Sequence, residues 1–262
     1  MTSTQGHKEL IRREFTQQAQ AYAANPSIAN NERLQRLLQA VQPQPGMRVL
    51  DVATGPGYVA MAFAVAGCEV VGIDLTAAPL AIAEQKRQER GLNNLSFQVG
   101  DAENLPFEAQ EFDIVISRLA FHHFEDPAHV LSEMTRVCRP QGLVIIEDII
   151  ASEFPERAAY HNHFERLRDP SHTRALPLSE LVELFTARHL EVEQLFTSFH
   201  AQAVEQWLKN AQTPAERAQE VRTMFEQDVL HDLSGTQAYR EGGALYFRHR
   251  TLTCIGRKLV LD

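Results

Sequence analysis

The run from Met47 to Gly57, MRVLDVATGPG, places an aspartate and two glycines at the end of an apolar segment. Met47, Val49, Leu50 and Val52 give the near-continuous hydrophobicity of a parallel strand covered on both faces. Asp51 lies at its carboxyl end. Gly55 and Gly57 permit a tight turn and a close backbone approach to a ligand, and the helix starting at Tyr58 aims its amino end at the same point. A second short strand, EVVGID, ends in Asp74, where a carboxylate can accept hydrogen bonds from both hydroxyls of a ribose. This chemistry is that of a crevice for a nucleoside-like molecule at the carboxyl ends of parallel strands.

The elements that must hold these residues alternate. Strands are expected at 47–52, 69–74, 95–99, 112–117 and 143–150, with helices at 58–66, 76–90 and 127–137, which predicts an α/β doubly wound, mostly parallel, Rossmann-like sheet covered on both faces. Thr76 is expected to cap the second of those helices, and Arg139 to Gly142 to turn into the fifth strand. Two amphipathic helices come before the sheet: residues 7–24, with Leu10, Ile11, Phe15, Ala19 and Tyr22, then a stripe of Leu34, Leu37, Leu38 and Val41 capped by Ser27 and ended by PQPG. Beyond Ala151 the alternation breaks. Helices at 154–168, 178–187 (capped by Ser179), 204–208 and 214–230 surround strands at 190–199 and 244–259. The expected organisation is one domain: helices in 1–44, a ligand-binding half in 45–150, lid and substrate-binding insertions in 151–240, and a final strand in 241–262.

The chain has 262 residues, 44% hydrophobic and 23% charged, with a formal net charge of −9 and no basic run. That balance disfavours a nucleic-acid or anionic-membrane surface, which needs clustered Lys and Arg. Cys68, Cys138 and Cys254 stand singly, so neither a disulfide framework nor a thiolate metal site is expected. No segment reaches the ~18 apolar residues of a membrane span. A cytoplasmic protein is expected, with a small-molecule substrate, no nucleic acid and no membrane insertion; an oligomer is compatible with the sequence.

VLDVATGPG, the acidic GID, GDAENLPF, and FDIVISRLAFHHFEDP followed by RPQGLVIIED together resemble the class I S-adenosylmethionine-dependent methyltransferases. Within them the chain is most similar to the small-molecule branch around the ubiquinone/menaquinone C-methyltransferases and the YcgJ-type methyltransferases. The resemblance implies a seven-stranded sheet with an antiparallel last strand, and S-adenosylmethionine as cofactor. It implies that Asp51, Ala53, Gly55 and Gly57 surround the methionine part, and that Asp74 holds the ribose with Leu75 against the adenine. Asp101 and Ala102 would meet the adenine edge, Arg118 and Leu119 the sulfonium end, and Phe15 and Tyr22 would close over the cofactor. Where this family often has its first glycine the chain has Ala53, read as a small residue tolerated beside the cofactor, for which ordinary backbone angles suffice if it is still in the strand.

Methyl transfer from a sulfonium is mostly positioning, and a base is needed only where the acceptor must lose a proton. The candidates are His122 and His123, since imidazole titrates near about 6.5. His172 and Arg174, in a stretch similar to the YcgJ-type relatives, and Arg248 with Arg250 on the last strand are candidates to meet the acceptor. A phenolic or quinone-like ring, a heterocyclic nitrogen or a carboxylate all suit these groups. No metal is expected: His161 and His163 are two apart on a helix and cannot share a face, and Ser117 stands where the metal-using catechol branch has an acid. Two rival readings are a NAD-type dehydrogenase, disfavoured by the glycine spacing, and a non-catalytic module that retains the cofactor pocket.

Overall fold

A computed structural model describes residues 3–24 and 31–260. Helices α1 (Ser3–Ala23) and α2 (Asn31–Val41) come first; Ser27, the expected cap, lies outside the described residues. Then follow β1 (Arg48–Val52), α3 (Tyr58–Val65), β2 (Glu69–Asp74), α4 (Ala77–Glu89), β3 (Leu95–Val99), β4 (Phe112–Arg118), α5 (Pro127–Val137) and β5 (Cys138–Ile149). The remainder forms α6 (Pro155–Arg168), α7 (Leu178–Thr186), β6 (Leu190–Ala203), α8 (Val204–Asn210), α9 (Ala215–His231), β7 (Tyr239–Glu241) and β8 (Ala244–Lys258). Among the described residues no helix is long and apolar enough to cross a membrane.

The sheet runs β3-β2-β1-β4-β5-β8-β6, with β7 paired to β8. β1 to β5 pair in parallel, and β8 is antiparallel to both β5 and β6. Strand order reverses on either side of β1, which opens a crevice outside the carboxyl ends of β1 and β4. Period-two alternation sends Leu50 and Val52 to a core with Val130, Leu131 and Met134 of α5 and Phe185 of α7, and Val49 to the opposite core with Leu37 of α2 and Phe63 of α3. A third cluster, Phe164, Trp207, Phe225 and Phe247, ties α6, α8 and α9 to β8. Each such fully buried large side chain contributes roughly 1.5–3 kcal/mol, so these helices are fixed to the sheet by packing.

Four local expectations change. Among the described residues the sheet has eight strands rather than seven, because β7 turns back through Gly242 and Gly243, at φ +57° and +85°. Two consecutive left-handed residues make the two-residue hairpin whose twist matches its strands. Thr76 precedes α4 but its hydroxyl makes no hydrogen bond; its N–H donates instead to Asp74 Oδ1 at 2.8 Å. Ser179 lies inside α7 and donates to Glu153 at 2.6 Å, while Pro177 holds the cap position. Residues 139–142 form the irregular start of β5, where pairing with β4 shifts register between Phe112 and Ile114.

Candidate active site

Above the tips of β1, β2 and β4 lies a cleft of about 790 Å³, with Ala53, Gly55, Asp74, Leu75, Asp101, Ala102 and Leu119 in its walls. α1 roofs it with His7, Lys8, Ile11, Phe15 and Tyr22. His7, Ile11, Phe15, Gln18 and Tyr22 recur at steps of three or four, one stripe of a helix. A smaller recess of about 330 Å³ shares Tyr22, Ala53, Gly55 and Leu119 with the cleft and reaches Asp51 and Arg118. Gly57 lines neither. A Cβ there would lie 2.7 Å from the Phe97 ring, so this glycine lets the turn pack on β3. Ala53 lies just past the end of β1, and its φ is +57°. The chain leaves β1 through a left-handed residue, a conformation that costs a non-glycine residue about 1–2 kcal/mol.

The acids of this cleft are held by the backbone. Asp51 accepts from the Thr54 hydroxyl at 2.5 Å and the Ala60 N–H at 3.1 Å. Burial pushes it up to about 7, against those hydrogen bonds and the charge of Arg118. Asp74 accepts from the N–H groups of Gly55 and Thr76, both at 2.8 Å, and burial pushes it up to about 6. Asp101 accepts from the Lys8 ammonium at 2.7 Å and the Glu103 N–H at 3.0 Å. Lys8 also meets Glu103, at 2.5 Å; burial disfavours its charge, but the two carboxylates outweigh that and raise its pKa.

A second cavity, about 760 Å³, lies on the far side of Phe15, Tyr22, Leu119 and His123, which line both spaces. Its other walls include Arg33, His122, Glu165, Arg168, Asp169, His200, Trp207 and His249. The partition is an edge-on aromatic set: Phe15 lies 5.8 Å from Tyr22 and 5.0 Å from His123, ring centre to ring centre. Between Arg33 and Arg118, Glu147 accepts from Arg33 at 2.6 Å and from Arg118 Nε at 2.9 Å. Burial would raise its pKa, but the two guanidiniums hold it below the usual carboxylate value.

The two histidines of the 121–123 turn have opposite surroundings. His122 gives its backbone N–H to Asp148 Oδ2 at 3.1 Å and sets its ring Nδ1 2.6 Å from Oδ1. Burial opposes its charge, yet the Asp148 carboxylate prevails and raises its pKa. His123 has its Nδ1 3.0 Å from the Ser171 carbonyl, and burial together with the adjoining His122 lowers it to about 4. One histidine is held on a carboxylate through its Nδ1. Its neighbour is a neutral wall, pinned where its carbonyl accepts from His7 Nε2 at 2.8 Å and the Thr173 hydroxyl at 2.9 Å.

Three residues expected to meet an acceptor lie elsewhere. His172 is buried with Nε2 2.7 Å from Asn162 Oδ1 and lines neither cavity. Burial takes its pKa well below the ordinary value. Arg174 makes a two-pronged pair with Glu180 at the surface. Arg248 lies over Tyr239 and donates to Gln237 at 3.0 Å. On β8 the inward parity is Phe247, His249, Thr251 and Thr253, all buried, so Arg248 and Arg250 have the opposite phase. His249 sits directly across from His200 of β6. The alternation was present in the sequence, but nothing local said which phase faces in. Lys8 and Asp148 were likewise missed; only the stripe along α1 could have pointed to the first.

A doubly wound sheet with acids at successive strand tips and a glycine turn is the frame of a small-molecule crevice at the switch point of the strand order. The chain belongs to the family described as "Methyltransferase domain" (Methyltransf_31), which matches residues 43–229. It is 34% identical over 209 residues to the uncharacterized methyltransferase YcgJ of Bacillus subtilis, covering 80% of this chain and 83% of that one. The crystal structure of YcgJ superposes with a TM-score of 0.83 at 30% identity, covering 88% of this chain and all of the other. A demethylmenaquinone methyltransferase of Renibacterium salmoninarum is 33% identical over 142 residues, 53% of this chain and 58% of that protein.

Proposed function

We propose that this protein transfers a methyl group from S-adenosylmethionine to a small, ring-bearing acceptor of phenolic, quinone-like or heterocyclic type. The observation that carries the reading is the pair of cavities meeting at Phe15, Tyr22, Leu119 and His123, with the His122–Asp148 pair on the acceptor side. The residues suit the cofactor. Asp74 presents a carboxylate raised to about 6, a state that hydrogen-bond donors from a ribose would relieve, and the cleft sets a few convergent polar groups in mainly apolar walls. When bound, S-adenosylmethionine supplies an electrophilic methyl on a sulfonium that leaves as a neutral thioether.

The chain's own groups do the rest. Asp74 and Leu75 would hold the nucleoside, Asp101 and Ala102 the adenine edge, and Asp51, Ala53, Gly55, Arg118 and Leu119 the amino-acid end. The aromatic partition keeps water from the transfer line and orients the acceptor ring, which is worth more than any single polar contact. Trp207, Phe15 and Tyr22 give the second cavity aromatic walls, and Arg33 and Arg168 suit an acceptor that becomes anionic. His122 takes the acceptor's proton at Nε2, and Asp148 stabilises the imidazolium.

Calorimetric titration with S-adenosylmethionine and S-adenosylhomocysteine, wild type beside Asp74→Ala, tests the cofactor. Phenolic, quinone and heterocyclic acceptors are then screened with a methyl-labelled donor. Folded wild type that binds neither ligand would sink the proposal; tight binding without turnover of any acceptor would instead favour a binding module.

A further inference from the structure

His161 and Glu165 lie one turn apart on α6, and the face they share meets His249 of β8. Glu165 Oε1 is 2.6 Å from His249 Nε2 and 3.5 Å from His161 Nε2, and the three donor atoms all lie within 4.8 Å of one another. The residues are 1%, 2% and 9% exposed for His161, Glu165 and His249. A hydrogen bond accounts for the Glu165–His249 contact. It does not account for His161, whose buried Nε2 approaches the same oxygen only at 3.5 Å and has no hydrogen-bond partner among the described residues.

Two imidazole nitrogens converging on one carboxylate oxygen is the donor set of a transition-metal site. With bonds of about 2.0–2.2 Å, tetrahedral donors sit about 3.4 Å apart, so shifts of under about 1 Å convert the present contacts into ligation. We infer that His161, Glu165 and His249 form a binding site for one divalent transition-metal ion of the zinc type, with an open position facing the second cavity. Three protein ligands with a fourth place left open is the arrangement of zinc sites that act on a bound molecule. Glu165 and His249 both line that cavity, so the open place is reachable by an acceptor oxygen or nitrogen. The site stands whether or not that cavity takes a methyl acceptor.

The test uses the full-length, untagged protein stripped with chelator and titrated with Co²⁺, then Zn²⁺. The expected result is one Co²⁺ per chain with visible d–d absorption, displaced by Zn²⁺, and a melting temperature raised by Zn²⁺. His161→Ala and Glu165→Gln should each weaken binding by more than the roughly 10–100-fold that loss of a supporting outer partner causes, and both should lose the melting shift. His161→Ala removes a ring nitrogen whose one polar contact is the long 3.5 Å approach to Glu165, so it decides the matter if Glu165→Gln fails to fold. The chain has 11 histidines, and ions held elsewhere would bind both variants as tightly as wild type. That result, or a folded wild type that binds neither ion, overturns the inference.

Discussion

Asp148 holds His122 twice, taking its backbone N–H on one carboxylate oxygen at 3.1 Å and facing its ring Nδ1 with the other at 2.6 Å. The tautomer and the ring angle are thereby fixed together, with Nδ1 rather than Nε2 on the carboxylate. The histidine must be neutral to accept a proton, and its pKa lies above the ordinary 6.5. Methyl transfer to a proton-bearing acceptor should therefore rise with pH, with its acid-limb midpoint above 6.5. Asp148→Asn removes the charge that raises the pKa, so the midpoint should move to lower pH while the plateau of kcat falls about 100-fold or more. A pH profile of kcat for wild type and variant checks this, and unchanged midpoints would remove His122 from the proton-transfer role.

Asp74 gives a second pH dependence, on binding. Ribose hydroxyls donate to the ionised carboxylate, whose pKa is pushed up to about 6, so cofactor affinity should fall as pH drops through about 6 and level off above it. Asp74→Asn should flatten that slope and, with charged hydrogen bonds worth about 1.5–3 kcal/mol, weaken binding on the order of 10–100-fold at pH 8. Calorimetry from pH 5 to 8 measures both. Equal affinity across the range would place the ribose elsewhere.

Ala53 tests backbone strain. At φ +57° a glycine is relieved of about 1–2 kcal/mol of steric cost and gives back roughly 0.5–1 kcal/mol of unfolded-chain entropy. Ala53→Gly should therefore leave stability equal to wild type or up to about 1.5 kcal/mol above it. Ala53→Val, branched at Cβ, should lose more than the alanine already does. Urea unfolding of both variants decides, and a clear loss in the glycine variant would contradict the strain.

Glu147 is the counter-charge for two guanidiniums beneath the partition. Glu147→Gln leaves Arg33 and Arg118 close together with their shared carboxylate gone, and should cost about 3–5 kcal/mol. Replacing Arg36, whose pair with Glu32 is exposed, should cost under about 1 kcal/mol. Chemical denaturation of the two variants compares them, and similar losses would show that burial does not govern the first pair.

The nucleotide half of the molecule was legible because its determinants are local. A strand, a turn and a helix follow one another at 47–66, and parallel strands of this length force Asp51, Asp74 and Asp101 to the same end of the sheet. What no local pattern fixed was everything that depends on long-range packing. Whether His122 or His123 faces a carboxylate depends on Asp148, which reaches the turn only because β4 and β5 pair in register. Which phase of β8 points inward depends on its neighbours β5 and β6, and that choice put His249 in the cavity and Arg248 outside it. His161 was read against His163 along one helix. Its real companion across the fold, His249, arrives from a strand distant in sequence, because Phe164, Phe225 and Phe247 pack α6 onto β8. Hydrophobic periodicity determined the elements and their order, but side-chain packing between distant elements decided which polar groups were buried together.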